Sequence, residues 1–476
     1  MRRLARLALF ALPLLVVSAC TLGPRYKRPP VATPETWREI ETAESASIAN
    51  TPWWELFQDE QLKKLIHTAL AENKDLKIAV ERITEARALY GFTRADQYPK
   101  LDLGATSGGI GISSGSLTHP PEGTNTKTTD IHVLGVDLAW ELDFFGRLRR
   151  ATEAQRAEML ATEEARRSVV IALVADVARA YMELRSLDIA LEIGRRTLVS
   201  RGEYMELAKV RFEGGITSEM DWRQSEAEYH RIEALVHDLE RQVRQKENEL
   251  SVLVGHNPEA IPRGRRVDEQ PLPIEIPAGL PSTLLERRPD IRAAEQQMVA
   301  ANARIGEAKA LLYPQITLTG SYGAASTQLD ELFTTDSWHL LASLAQPLFN
   351  AGKNRRRVEV MESRQQQAVY AYQRTILQAF REVEDSLVAH QKAGEQRESQ
   401  RQRVAAERKV LELAELRYRG GVAAYLEVLD AQRSLFNAEV EEVQSINDDW
   451  VTLIRLYKAL GGGWTETPPP ATTPTS

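Results

Sequence analysis

Apolar residues keep helical spacing from Asp59 to Leu70, and again from Asn73 toward Gln97, where Leu76, Ile78, Ala79, Val80, Ile83, Ala86 and Leu89 carry the pattern. The second run stops at Tyr98-Pro99, and the period changes to two. Leu134, Val136, Leu138, Trp140 and Leu142 alternate with Gly135, Asp137, Ala139, Glu141 and Asp143, which predicts a strand with one apolar side. The Gly- and Ser-rich stretch Leu101 to Ile112 predicts its partner. Beyond Gly146 the helical period returns, with no proline until Pro258. Ala151, Ala154, Ala157, Ala161, Ala165, Ala172, Ala175 and Ala178 fall mostly three or four apart, a small-residue stripe that lets helix backbones approach closely. Taken as one helix, Arg150 to Glu213 would be roughly 95 Å long at about 1.5 Å per residue, too long for a globular core and suited to a projecting tube.

The same pattern then repeats. Leu207-Ala208-Lys209-Val210-Arg211-Phe212-Glu213-Gly214-Gly215-Ile216 is echoed by Leu413-Ala414-Glu415-Leu416-Arg417-Tyr418-Arg419-Gly420-Gly421-Val422. Each copy ends at a Gly pair, where left-handed backbone values close one helix and turn into the next. Asp75, Tyr98 and Pro99 align with Asp290, Tyr313 and Pro314 at one constant offset. Ile316, Leu318 and Tyr322 alternate with Thr317, Thr319 and Ser321, and Trp338 to Ala345 alternates less cleanly. Residues 353–419 repeat the long helix, with Val358, Met361, Val369, Tyr372, Ile376 and Phe380 as its apolar face. The chain is therefore a tandem duplication whose unit is far longer than a solenoid repeat.

These patterns divide the chain. Residues 1–19 read as a signal peptide and 20–58 as an N-terminal strap. Residues 59–255 form the first repeat, with a hairpin at 101–143 and a helical tip at 214–218. A connector at 256–282 comes next, broken by Pro258, Pro262, Pro271, Pro273 and Pro277. The second repeat is 283–464, with a hairpin at 315–349 and a tip at 420–424. The Pro/Thr-rich tail at 465–476 is expected to be disordered.

Composition narrows the function. A net charge of -7 argues against nucleic acid as a partner. One cysteine among 476 residues excludes an intrachain disulfide framework and a structural zinc cluster. That cysteine follows a basic start, the apolar run Leu7 to Val17, and Val17-Ser18-Ala19, a pattern like the lipobox of bacterial lipoproteins. Covalent lipid on Cys20 is expected, and no other cofactor and no metal site. Stable anchoring needs several acyl chains. Four strands cannot close a barrel, since transmembrane barrels begin at about eight. Two copies would leave almost no lumen, whereas three would give about twelve strands around a channel. The alternative is a pair of edge hairpins on a soluble domain. Gly146-Arg147-Leu148-Arg149-Arg150 and Gly352-Lys353-Asn354-Arg355-Arg356-Arg357 mark the returns from strand to helix, facing lipid headgroups or simply solvated.

Together these features resemble the TolC-like outer-membrane efflux duct family, in its lipid-anchored NodT/OprM-like branch. The resemblance rests on Val-Ser-Ala-Cys at 17–20, Gly-Pro-x-Tyr-x-Arg-Pro at 23–29, Trp53-Trp54-x-x-Phe57 and the paired Tyr-Pro corners. Arg-Phe-x-x-Gly at 211–215, Arg-Tyr-x-x-Gly from 417 and the Leu-Glu-Val-Leu-Asp-Ala-Gln motif up to Gln432 complete it. It implies a mainly α fold with a small β part. Long coiled-coil helices would form an α-barrel, and four strands per chain a trimeric 12-stranded outer-membrane β-barrel. It implies a homotrimer lodged in outer-membrane lipid, with a periplasmic helical tunnel that meets a periplasmic membrane-fusion adaptor and an inner-membrane pump. The adaptor-binding tips would be Gly214, Gly215, Ile216, Thr217, Ser218 and Gly420, Gly421, Val422, Ala423, Ala424. Glu427 and Asp430, three apart on one helix face, would form a cation-favouring pore constriction. Asp221 and Tyr418 would form a tip gate through a mutual hydrogen bond. Ala423 stands where some relatives carry Arg, so the latch is expected to be weaker.

The activity implied is passive exit of small molecules in a tripartite efflux system. Type I secretion of proteins or peptides, or a pore-less helical lipoprotein scaffold, are the alternatives. An enzyme is disfavoured, because phosphate-binding loops, HExxH and nucleophile elbows are absent and the eight histidines are scattered.

Overall fold

The computed structural model describes residues 21–38, 47–113, 126–270 and 277–462; Cys20 and the tail lie outside them. Helices α1 (Glu60–Glu72) and α2 (Lys74–Ala95) lead into strands β1 (Lys100–Ser113) and β2 (Thr126–Leu142). Next come α3 (Arg147–Glu213) and α4 (Glu219–Val254). The second half repeats the order as α5 (Pro289–Ala310), β3 (Gln315–Ser326), β4 (Asp336–Ala345), α6 (Lys353–Arg419) and α7 (Tyr425–Ala459). Corresponding helices match in length: α2 and α5 have 22 residues each, α3 and α6 have 67 each. These equal lengths are the structural form of the duplication. Among the described residues no helix is long and apolar enough to cross a membrane.

Three details differ from the sequence expectation. Strand β2 begins at Thr126, so pairing runs outward to Ser113↔Thr126 and shortens the Gly/Ser/Thr-rich connection. The link between β3 and β4 contains a 3-10 turn, Leu329–Thr334. The small-residue stripe is also incomplete: Ala154, Ala157 and Ala161 are buried, but Ala165 is exposed.

Two compact units draw on both halves of the chain. One combines the described residues up to Pro30 with Arg82–Thr162 and Ala293–Tyr372. It holds a single four-stranded antiparallel sheet in the order β1-β2-β3-β4. The two hairpins join through β2 and β3, from His132↔Ser326 to Leu142↔Ile316. Beneath them Ala154 and Ala157 of α3 pack on Ala300 and Ala303 of α5. The strap is fixed by its backbone: Leu22 N–H donates to the Phe145 carbonyl at 3.2 Å, and Asn302 Nδ2 donates to the Pro24 carbonyl at 3.0 Å. Gly306 permits this approach, since a Cβ there would lie 2.5 Å from the Leu22 oxygen.

The other unit combines Val31–Glu81, Glu163–Arg292 and the described residues from Gln373. Its core includes the fully buried Trp450, Tyr181, Phe57, Leu62, Ile66, Met182 and Leu250. On α4 the buried positions Glu228, Ile232, Val236, Leu239, Val243 and Leu250 form one helical stripe. Asp59, only 3% exposed, is the polar centre. Its Oδ1 caps α1 by accepting from Gln61 N–H at 2.8 Å and Leu62 N–H at 3.2 Å. Its Oδ2 accepts from Tyr181 Oη–H at 3.1 Å and Arg265 N–H at 2.9 Å. One carboxylate thereby ties α1 and α3 to the proline-rich connector. Trp37 adds a second tie, donating from Nε1 to the Gly279 carbonyl at 2.7 Å.

Every partner of Asp59 is a donor, so an amide would point N–H groups at N–H and O–H groups. Asp59→Asn is therefore expected to destabilise the protein by roughly 2 kcal/mol, and Tyr181→Phe by about 1 kcal/mol. Thermal unfolding of the detergent-solubilised protein checks this ordering.

Candidate functional site

The sheet register sorts side chains by chemistry. Leu103↔Val136, Val136↔Tyr322 and Tyr322↔Trp338 place four large apolar residues in one row across all four strands. All four are exposed. Leu101, Leu138 and Leu340 continue that face one level away, interrupted by Gly320. The opposite face carries Asp102, Asp137, Ser321 and His339 in register. Leu341 on the polar face is the residue that blurs the alternation in β4. A sheet with an apolar face outward and acids on the other is the surface expected between lipid and water. Both β1 and β4 are edges, and β4 is exposed at every position.

The two helical tips share one geometry. Ile216 N–H donates to the Arg211 carbonyl at 2.9 Å, and Val422 N–H to the Arg417 carbonyl at 3.1 Å, each closing a Schellman-type turn. Gly215 and Gly421 take φ of 71° and 72°, which is why glycine stands there. Ile216 and Val422 project outward at the same place, each 72% exposed. The tips differ in how the return helix is capped. Ser218 caps α4 by accepting from Asp221 N–H at 3.4 Å, whereas Ala424 offers α7 no side-chain cap.

Tyr425 packs behind these turns with Ala414, Val428, Leu429 and Ala431, covered by Tyr204, Leu411 and Tyr418. Arg211 Nη1 donates to Tyr418 Oη at 2.8 Å, with its guanidinium 5.4 Å from the ring centroid. Tyr204 Oη donates to Glu415 Oε1 at 2.8 Å. Burial, with that carboxylate beside it, pushes the Tyr204 phenol up to about 12.

The expected Asp221–Tyr418 hydrogen bond is not made within the chain, among the described residues. Arg211, one turn before the first tip, reaches the phenol instead, while Asp221 sits in the first turn of α4. Glu427 and Asp430 are both exposed on the face of α7 opposite Val428 and Leu429. Arg417 Nε lies 3.5 Å from Glu427 Oε2. Arg211 and Arg417 are repeat equivalents, so their alignment was the available signal for a role that sequence reading missed. The first basic cluster is also more specific than a solvated patch. Arg147 Nε meets Glu141 at 2.8 Å, and Arg149 Nε meets Asp143 at 3.3 Å, locking the end of β2 to the start of α3. No group of residues that could hold a metal ion occurs among the described residues.

A family model described as outer membrane efflux protein matches residues 65–256 and 280–462. The chain is 37% identical over 471 residues to the solvent efflux pump outer membrane protein SrpC of Pseudomonas putida, covering 96% of this chain and 98% of SrpC. It is 35% identical to the probable outer membrane lipoprotein SilC of Salmonella typhimurium, covering 95% of this chain and 98% of SilC. Among solved structures, the open state of the Neisseria gonorrhoeae MtrE outer membrane channel superposes with a TM-score of 0.84 at 33% identity. That match covers 94% of this chain and 99% of MtrE.

Tyr418→Phe keeps the ring but removes the acceptor from Arg211. A half-exposed bond of this kind contributes about 1 kcal/mol, so amide exchange at 418–424 should quicken roughly fivefold. Hydrogen exchange with mass detection checks this, with exchange at the Asp59 network as the unchanged reference.

Proposed function

The chain belongs to the outer membrane efflux protein family, and from that premise we propose that three copies close a passive exit duct for small molecules. The observation that carries this reading is the four-stranded sheet with an apolar row on one face, acids on the other and two unpaired edges. Backbone groups in hydrocarbon must all be bonded, so β1 of one copy pairs with β4 of the next until the wall closes. Twelve strands leave a lumen that eight would fill with side chains. The exposed Tyr370, Leu377, Leu413 and Leu416 of α6 support burial of that helix against another copy.

Cys20 carries the covalent lipid that holds the strap at the outer membrane. The tips, with Ile216 and Val422 outermost, dock on a periplasmic membrane-fusion adaptor. An inner-membrane pump supplies the energy, since a passive duct has none of its own. Asp221, which does not meet Tyr418 within the chain, faces it from a neighbouring copy and gates the tips. Three copies of Glu427 and Asp430 gather six carboxylates around the axis, and the field there favours cations.

Planar-bilayer recording tests the reading. The wild type should conduct with cation preference, and Glu427→Ala with Asp430→Ala should cut that preference several-fold. A silent wild type would reject the duct; unchanged selectivity in the double variant would reject the ring.

A further inference from the structure

The two halves of the chain correspond through two fixed offsets. One carries α2 and β1 onto α5 and β3, as Tyr98 onto Tyr313; the other carries β2 and α3 onto β4 and α6, as Gly146 onto Gly352. The element starts obey them: Lys74 matches Pro289, Lys100 matches Gln315 and Arg147 matches Lys353. Within one chain the halves meet along one seam, with β2 beside β3 and α3 packed on α5. The corresponding seam sets β4 beside β1 and α6 beside α2. It cannot form in one sheet, because β1 and β4 stand at opposite edges.

The seam that does form shows what the other requires. Ala154 and Ala157 of α3 are buried with Ala300 and Ala303 of α5, and Glu158 of α3 pairs with Arg304 of α5. The offsets carry these residues to Val360, Ser363 and Arg364 of α6, and to Glu85, Ala88 and Leu89 of α2. All six are exposed. They are also complementary. Val360 and Leu89, 46% and 47% exposed, offer apolar contact beside the small Ala88 and Ser363. Glu85 lies one turn before Leu89 on the same face, and its charge is opposite to that of Arg364. Neither Glu85 nor Arg364 makes an ion pair among the described residues. The strands agree. Leu138↔Gly320 and Leu134↔Ala324 transfer to Leu344 opposite Ala105 and Leu340 opposite Gly109, again a leucine facing a small residue on the apolar face. A slip by one residue would set those leucines against the polar face.

We propose that Glu85, Ala88 and Leu89 of α2 dock on Val360, Ser363 and Arg364 of α6 in a second copy, in the register of the internal seam, with an Arg364–Glu85 ion pair across it. This docking rests on the closed-ring reading and deepens it by naming the surfaces that meet. The charges also decide the order of elements around the ring. The long helix carries Glu158 in one seam and Arg364 in the other, while the short helix carries Arg304 and Glu85. Pairing α6 with α5 of another copy would oppose Arg364 and Arg304, and pairing α3 with α2 would oppose Glu158 and Glu85. Like charges thus reject the wrong seams, and copies join head to tail, the arrangement that closes a ring. All these residues belong to one compact unit of each chain.

Cysteine cross-linking and charge reversal of the full-length, detergent-solubilised protein test the seam. Oxidation of the Val360→Cys, Ala88→Cys double variant should give covalent dimers and trimers on a denaturing gel, and either cysteine alone should give none. Arg364→Glu or Glu85→Arg alone should shift the monomer–trimer equilibrium at least about fivefold toward monomer, since three pairs per ring become repulsive. The double reversal should return it to within about twofold of wild type. If the cysteine variant fails to fold, the reversals decide. A trimeric wild type with no covalent oligomers from the folded cysteine variant, or with no recovery in the double reversal, would overturn this seam and leave the duct standing. A monomeric wild type would overturn both.

Discussion

Unpaired peptide groups cannot remain in hydrocarbon, and this chain ends its sheet with two strands whose outer edges are open. A single copy therefore cannot place its apolar row, Leu103 to Trp338, in a membrane without leaving N–H and C=O groups of β1 and β4 unbonded. The requirement reaches beyond the sheet. If β1 and β4 pair with neighbouring copies, the helices that continue from them are carried into a ring. The exposed leucines of α6 then face another helix instead of water. Membership of the outer membrane efflux family fits that constraint, since relatives matched along nearly the whole chain are outer-membrane proteins.

Duplication explains how one chain supplies so much of a wall. Each half contributes a short helix, a hairpin, a 67-residue helix and a return helix. The hairpins fuse into one sheet because β2 and β3 pair across the repeat boundary. Both compact units therefore contain segments from both halves. The copies have diverged where their surroundings differ. Ser218 caps one tip and Ala424 leaves the other uncapped, while Arg211 and Arg417 take different partners.

Much of this was legible in the sequence because the signals were local. Period-two alternation named β2, the Gly pairs named both tips, and a proline-free span named the long helix. What stayed hidden depended on partners distant in sequence. Nothing near Asp59 announces Tyr181 or Arg265, and for Tyr418 the one signal, the alignment of Arg211 with Arg417, does not say that Arg211 would reach its hydroxyl ahead of Asp221. The extra length of β2 was masked by Thr126 to Asp130, polar residues that pair only because β1 lies opposite.

A closed wall depends on how many chains build it. Native mass spectrometry of the protein extracted in mild detergent measures that number directly. A particle of three chains is expected, stable until the sheet edges are disrupted. A monomer, or a dimer with no higher species, would contradict it.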